Sequence, residues 1–258
     1  MHPLVDSHAH LDLEAFDADR PAVIARAGVA GVRHLVVPAT DCESWPRVQE
    51  LCDGRSDIHP AYGLHPLFMA RHRPEHLDCL GDWLDKHPAV AVGEIGLDYH
   101  QAETDRERQH RFFETQLRLA RDLDLPVIVH ARQALEEVSL ALRRCVGVCG
   151  VVHSFSGSEQ QAGKLWDLGF HLGIGGPVTY ERAQRLRRIV ARMPIRFLLL
   201  ESDAPDQPDA AHRGQRNEPA RIIEILRCVA ELRGESEAQV AQATTANARR
   251  LFGLDRNP

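Results

Sequence analysis

His8 and His10 stand two residues apart at the end of a short apolar run that begins at Leu4, with Asp6 and Asp12 beside them. On a β-strand, side chains at i and i+2 point to the same face, so the two imidazoles converge and can form half of a metal site. A His-x-His pair alone is more often two surface histidines, so its meaning depends on partners elsewhere in the chain. His65, Glu94, His130, His153 and Asp203 each stand at the carboxyl end of another short apolar or β-branched run. Glu94 is embedded in Ala89-Val90-Ala91-Val92-Gly93-Glu94-Ile95-Gly96, and a carboxylate in so apolar a strand needs a partner. Imidazoles and carboxylates together are a ligand set for hard-to-borderline divalent cations. Among the 15 histidines, His72, His76, His87 and His110 lie on polar helical stretches, where exposure to solvent is the expectation.

The elements that must position these residues follow a regular order. Strand-like runs cover Leu4–His8, His34–Ala39, Ile58–Gly63, Ala89–Ile95, Val127–Ala131, Val148–Ser154, Phe170–Gly175 and Phe197–Ser202. Between them, Arg20–Gly28, Asp105–Asp122, Gln133–Arg144, Glu159–Leu168 and Glu181–Arg192 carry apolar residues at three- and four-residue spacing, which predicts helices. Eight strands alternating with helices predict an α/β fold of the (β/α)8 TIM-barrel type, extended by two helices near Glu218–Arg233 and Glu235–Phe252. A doubly wound sheet would carry a glycine-rich phosphate loop after the first strand, and none follows His10. In a barrel all strand ends with the same polarity surround one mouth, so the site is expected at the C-terminal mouth. No linker or low-complexity tract interrupts the pattern, and one domain over 1–258 is expected. The longest punctuated loop, Asp203 to Asn217, follows the last strand, where a barrel keeps functional loops.

Composition narrows the setting. With 43% hydrophobic and 26% charged residues the chain is an ordinary globular one. No apolar run reaches the length of a membrane span, and Met1-His2-Pro3 leads directly into a strand, so a cytoplasmic protein without a membrane association is expected. The six cysteines form no Cys-x-x-Cys and are expected to be small buried hydrophobes. A net charge of −6 argues against a broad basic face for coating nucleic acid, while leaving open an enzyme that meets phosphates in one metal-charged pocket.

Taken together, His8-Ala9-His10, Gly63-Leu64-His65-Pro66, Gly93-Glu94-Ile95-Gly96-Leu97-Asp98-Tyr99, His130-Ala131-Arg132, His153-Ser154-Phe155-Ser156-Gly157, Glu201-Ser202-Asp203-Ala204-Pro205 and Arg216-Asn217-Glu218-Pro219 resemble the motifs of the TatD family, metal-dependent hydrolases of the amidohydrolase superfamily. Val37-Pro38-Ala39-Thr40 and Gly175-Gly176-Pro177-Val178-Thr179-Tyr180 bring the chain nearest the YjjV-like branch, and the resemblance covers essentially the whole chain. Ser7 and Ser202 stand where the family usually has Thr, and Ala248 where Thr often follows Asn247; none of these is an expected ligand. The resemblance implies a binuclear site. His8, His10 and Asp203 would hold one divalent cation, His130 and His153 the other, and Glu94 would bridge both. The cations would be Mg, Mn or Zn. The implied reaction is hydrolysis of a DNA phosphodiester by a hydroxide between the metals, with Asp203 as proton acceptor. A carbamylated Lys bridge is not expected, because the two lysines, Lys86 and Lys164, lie on helices.

For substrate, His65 and Arg132 are the candidates, the latter for its planar guanidinium fork. Arg213, Arg216 and Asn217 could line an approach, and Phe68, Met69 or Tyr180 could meet a base. Asp6 is expected deeper in the barrel as a hydrogen-bond partner for an imidazole. Two other readings stand beside the deoxyribonuclease: a hydrolase of a small phosphate or carboxylic ester, amide or lactone, and a metal-binding scaffold without turnover. No obligate protein partner is implied.

Overall fold

In the computed structural model, which describes residues 2–100 and 105–254, eight strands form one parallel sheet in sequence order. They are β1 (Leu4–Asp6), β2 (Val32–Pro38), β3 (Ile58–Tyr62), β4 (Ala91–Asp98), β5 (Val127–Arg132), β6 (Gly150–Val152), β7 (His171–Ile174) and β8 (Leu198–Leu200). The first and last strands meet just beyond their ends. Ser7 N donates to Leu200 O at 3.1 Å, Asp203 N to His8 O at 2.9 Å and His10 N to Ala204 O at 2.8 Å. These bonds bring the two halves of the expected metal set together across almost two hundred residues of sequence. The fold is the (β/α)8 barrel; Met1 and 255–258, the ends of the expected domain, lie outside the described residues.

Among the described residues, seven α-helices clothe the barrel: α1 (Arg20–Val29), α2 (Trp45–Cys52), α3 (Glu75–Lys86), α4 (Arg106–Asp122), α5 (Leu135–Arg144), α6 (Glu159–Asp167) and α7 (Gln184–Arg192). The eight-residue α2 is too short to show a period in sequence, but it buries Trp45, Val48 and Cys52. Two more helices, α8 (Ile222–Arg233) and α9 (Glu237–Phe252), follow the last strand. Local chemistry sets their ends. Reciprocal Ser–Gln capping boxes start α6 and α9, and left-handed Gly234 and Gly253 stop α8 and α9.

The barrel interior is apolar in its lower half. Val5, Val36, Ala61, Ala91, Ile128, Val151 and Leu199, from seven different strands, pack with Ala248 and Phe252 of α9. Helix α9 therefore closes the amino-terminal end of the barrel. Asn247 Nδ2 donates to Ile195 O at 2.7 Å and Leu198 O at 3.0 Å, and Thr245 Oγ1 donates to Pro3 O at 2.9 Å. With the floor sealed, the opposite, carboxyl end is the open one. No helix of the described residues is long and apolar enough to cross a membrane.

Two expectations need correction. His72 and His76 are buried, not solvent-exposed. His72 Nε2 donates to His65 O at 2.9 Å, and His76 packs against the Cys42 thiol. Of the cysteines only Cys52 is buried, while Cys79 and Cys149 are exposed.

Candidate metal centre

Glu94 is the centre of the mouth. It does not end its strand, as the apolar run predicts; β4 continues to Asp98, and the side chain projects inward with only 1% exposure. Its two carboxylate oxygens face different groups. Oε2 lies 3.2 Å from His8 Nε2 and 3.5 Å from His10 Nε2. Oε1 lies 3.0 Å from His130 Nδ1 and 2.7 Å from His153 Nε2. Asp203 Oδ1 joins the first group, 3.6 Å from His8 Nε2 and 3.9 Å from His10 Nε2. All six expected ligands thus surround one small volume.

The donor spacings test whether cations fit. Two ligand atoms about 2.1 Å from one ion at a tetrahedral angle lie about 3.4 Å apart. His8 Nε2 and His10 Nε2 are 3.1 Å apart, and His130 Nδ1 and His153 Nε2 are 3.3 Å apart. Within each pair the spacing fits two rings that share one divalent cation.

Hydrogen bonds on the far side of the rings fix which nitrogens carry lone pairs. His10 Nδ1–H donates to Pro38 O at 3.1 Å, which leaves Nε2 free to ligate. His130 Nε2–H donates to Asp98 Oδ2 at 2.9 Å, which leaves Nδ1 free. Such partners orient a ligating imidazole and raise its basicity. Asp98 was not singled out from sequence. The available signal was its position four residues after Glu94 on one strand, which puts both carboxylates on the same face.

His65 differs from the other rings. Its Nδ1 accepts from Leu67 N at 3.0 Å, so its proton is on Nε2, which donates to Glu94 Oε1 at 3.0 Å. Burial pulls this imidazole down to about 4, consistent with a neutral hydrogen-bond donor. His65 has the geometry to donate to the Glu94 carboxylate or to a substrate oxygen.

The electrostatics of the cluster favour cations. Burial alone would push the Glu94 carboxyl up, yet His153, His65 and His8 hold it well below the usual carboxylate range. Burial pulls His10 and His153 down, but Glu94 overrides it and raises them to about 9 and about 10. The field that draws protons onto these rings draws divalent cations equally, and cation binding would release the protons.

Beneath the cluster lie two buried carboxylates. Asp6 Oδ1 accepts from Ser202 N at 2.9 Å and His8 N at 3.3 Å. It therefore holds the backbone of the two ligand-bearing segments; the expected bond to an imidazole ring is not made. Glu201, which sequence reasoning passed over, accepts from Ser154 N at 2.6 Å and lies 3.8 Å below His153 Nδ1. Its carboxylate occupies the space left by Gly173, where a Cβ would lie 2.0 Å from Glu201 Oε2. Burial pushes Asp6 to about 7 and Glu201 to about 8.

Around the mouth the backbone is strained at Gln133, Ser154, Asp203 and Gln207, all with left-handed φ between 47° and 56°. Gln207 donates to Asp203 Oδ2, which turns Oδ1 toward His8 and His10. Arg132, exposed at the end of β5, lines the cavity above the cluster, as do His65 and Phe68. Of the expected approach residues of the last loop, Arg213 is exposed and does not line the cavity, and the other two do other work. Arg216 is paired with Asp19 and Glu218, and buried Asn217 donates to Ser202 O and Asp206 O. Tyr180 donates to Pro208 O, and Met69 packs on the core. Lys86 ends α3 on the approach to the amino end of β4, and Lys164 pairs with Glu136, so neither reaches the cluster.

A family model described as TatD related DNase matches residues 5–253. The chain is 40% identical to the metal-dependent hydrolase YjjV of Escherichia coli K12 over 253 residues, covering 97% of this chain and 98% of that one. The crystal structure of the same YjjV superposes with a TM-score of 0.94 over 97% of this chain and 98% of that one, at 39% identity. The 3'-5' ssDNA/RNA exonuclease TatD of Pantoea ananatis is 32% identical, covering 97% of this chain and all of that one.

Proposed function

The chain belongs to the TatD family and is a metal-dependent hydrolase, and from that premise we propose that it hydrolyses phosphodiester bonds of DNA with two divalent cations, Mg, Mn or Zn. One observation carries the reading: the two oxygens of Glu94 face separate ligand sets, His8 and His10 with Asp203 on one side, His130 and His153 on the other. A bridging carboxylate flanked in this way suits a pair of ions. When bound there, such a pair would supply Lewis-acid activation of water at neutral pH and charge stabilisation for the oxygens at phosphorus.

The side chains have distinct tasks in this scheme. Asp203, whose carboxylate is oriented by Gln207, accepts the proton of the attacking water. The general-base role suits its raised pKa, which burial causes and His153 and His10 oppose. His65 Nε2–H is a neutral donor for a phosphoryl oxygen, and the Arg132 fork clamps the phosphate from the rim. Asp98 and Pro38 O hold the far-side protons of His130 and His10, so that each ring in its neutral form turns the lone pair of its other nitrogen toward a cation. A nucleic-acid substrate is supported by the exonuclease named among the relatives.

The test is a panel of single-stranded DNA, RNA and chromogenic phosphate and carboxyl esters, each with Mg, Mn or Zn and with a chelator. Chelator-sensitive cleavage of DNA is expected. Turnover of carboxyl esters alone would replace this reading with that of a small-ester hydrolase, and no turnover of any kind would leave a metal-binding scaffold.

A further inference from the structure

The metal cluster forms the floor of a cavity of about 920 Å³, at the upper end of the range that holds a single drug-sized ligand. Its wall includes three arginines, Arg132 from β5 and Arg182 and Arg185 from the start of α7 and the loop before it. Among the described residues, the carboxylates facing the same cavity are Glu94, Asp203 and Asp206. Glu94 and Asp203 belong to the ligand set, which leaves Asp206 against three guanidinium groups. A chain of net charge −6 thus carries a cationic wall here. Arg182 and Arg185 form no ion pair among the described residues, whereas Arg20, Arg26, Arg47, Arg55 and Arg216 are all tied to carboxylates.

The two arginines are also held in position. Arg185 donates to Ser156 O at 2.8 Å, and the Arg182 guanidinium lies 5.4 Å from the Tyr180 ring centroid. Arg182 stands where the cavity meets a second hollow of about 500 Å³, lined also by Tyr180, Gln207 and Pro208. The two hollows share Pro177, Arg182, Ala183 and Gln207 on their walls. A substrate seated at the metal cluster thus has a continuation past Arg182.

We propose that Arg182 and Arg185 form a second phosphate subsite, which holds the phosphate next to the scissile one and selects a polyanionic chain over a molecule with a single phosphate. This rests on the phosphodiesterase reading above and adds the substrate class: a nucleotide chain carrying at least two phosphates. Guanidinium forks suit the task, since phosphate oxygens accept two parallel N–H bonds from each.

The test uses p-nitrophenyl phosphodiesters of thymidine, which fix the scissile bond. Thymidine 5'-(p-nitrophenyl phosphate) is compared with and without a 3'-phosphate, and thymidine 3'-(p-nitrophenyl phosphate) with and without a 5'-phosphate. For the wild-type protein, the second phosphate is expected to lower KM about tenfold in one of the two series, as a charge-assisted contact would. In the R182A/R185A variant that advantage is lost, and R182K/R185K restores part of it. Equal KM with and without the second phosphate, or equal losses on both members of a pair in the variant, overturns the subsite. Absence of turnover on every diester overturns the phosphodiesterase reading instead. The subsite is then judged by binding of a dye-labelled thymidine tetranucleotide, followed by fluorescence anisotropy. R182A/R185A is expected to weaken it and to reduce the slope of log affinity against log salt by about 0.7, the share of one phosphate on a single strand. An unchanged slope and affinity overturns the subsite.

Discussion

Replacing Asp98 by Asn probes how the structure sets the ligand state of His130. Asp98 is 2% exposed, and its two oxygens have separate duties: Oδ1 accepts from His100 N at 2.9 Å and Oδ2 from His130 Nε2 at 2.9 Å. An amide cannot do both. With its oxygen on His100 N, its NH2 faces His130 Nε2, which must then become the acceptor. The ring proton moves to Nδ1, the atom 3.0 Å from Glu94 Oε1 and the one available to a metal. With the amide reversed, two buried donors, the Asn NH2 and His100 N–H, oppose each other. Either arrangement costs the penalty of an unsatisfied buried donor or the wrong tautomer, about 1–3 kcal/mol. That agrees with the 10–100-fold loss in affinity typical of removing a carboxylate behind a ligating imidazole, about 1.4–2.7 kcal/mol. Calorimetric titration of Zn or Mn into metal-free wild-type and D98N protein measures it directly. One class of sites is expected to weaken by this factor while circular dichroism stays unchanged. Wild-type affinity at both sites in a folded D98N protein would refute the tautomer argument.

Three other perturbations follow from the same geometry. D203N should lower kcat by 10²–10⁴, the usual contribution of a positioned general base, with metal content largely retained; full activity in metal-loaded D203N would remove Asp203 from that role. G173A places a Cβ 2.0 Å from Glu201 Oε2 and should cost about 1–3 kcal/mol by overpacking. The thermal midpoint should fall by about 2–4 °C per kcal/mol, and an unchanged midpoint would mean that Glu201 moves aside freely. The half-buried His59, 2.9 Å from His34, is pulled down to about 4 by burial and then by the His34 charge. Its folded pKa lies below its unfolded value of about 6.5, so the stability it contributes is present above about 6.5 and is lost as pH falls toward about 4. Denaturation midpoints measured across that window should fall less steeply for His59→Gln than for wild type; identical slopes would contradict the assignment.

The barrel and its polarity were legible in the sequence because each strand is a short apolar run and each helix an amphipathic one, and both periods survive in a single chain. The chemistry-bearing residues were legible because most of them interrupt those runs at the same end. Glu94 stood out because a carboxylate among Ala, Val and Ile has no stable solitary state. Composition also argued against a broad basic face, which a net charge of −6 cannot supply.

Tertiary structure decided what periodicity does not encode. The bonds of Ser7, His10 and Asp203 across the β1–β8 seam set the first and last of the expected ligands side by side. The tautomers of His10, His65 and His130 depend on Pro38 O, Leu67 N and Asp98, partners two to thirty-two residues away in sequence, and only their positions in space tell a ligand nitrogen from a proton donor. His72 reads as polar helix surface, yet it holds the His65 backbone. Glu201 is two residues from Asp203, but its place beneath His153 exists only because Gly173, on the neighbouring strand, has no side chain. Which residue types can bind a cation is a property of the sequence; which of their atoms face it is a property of packing.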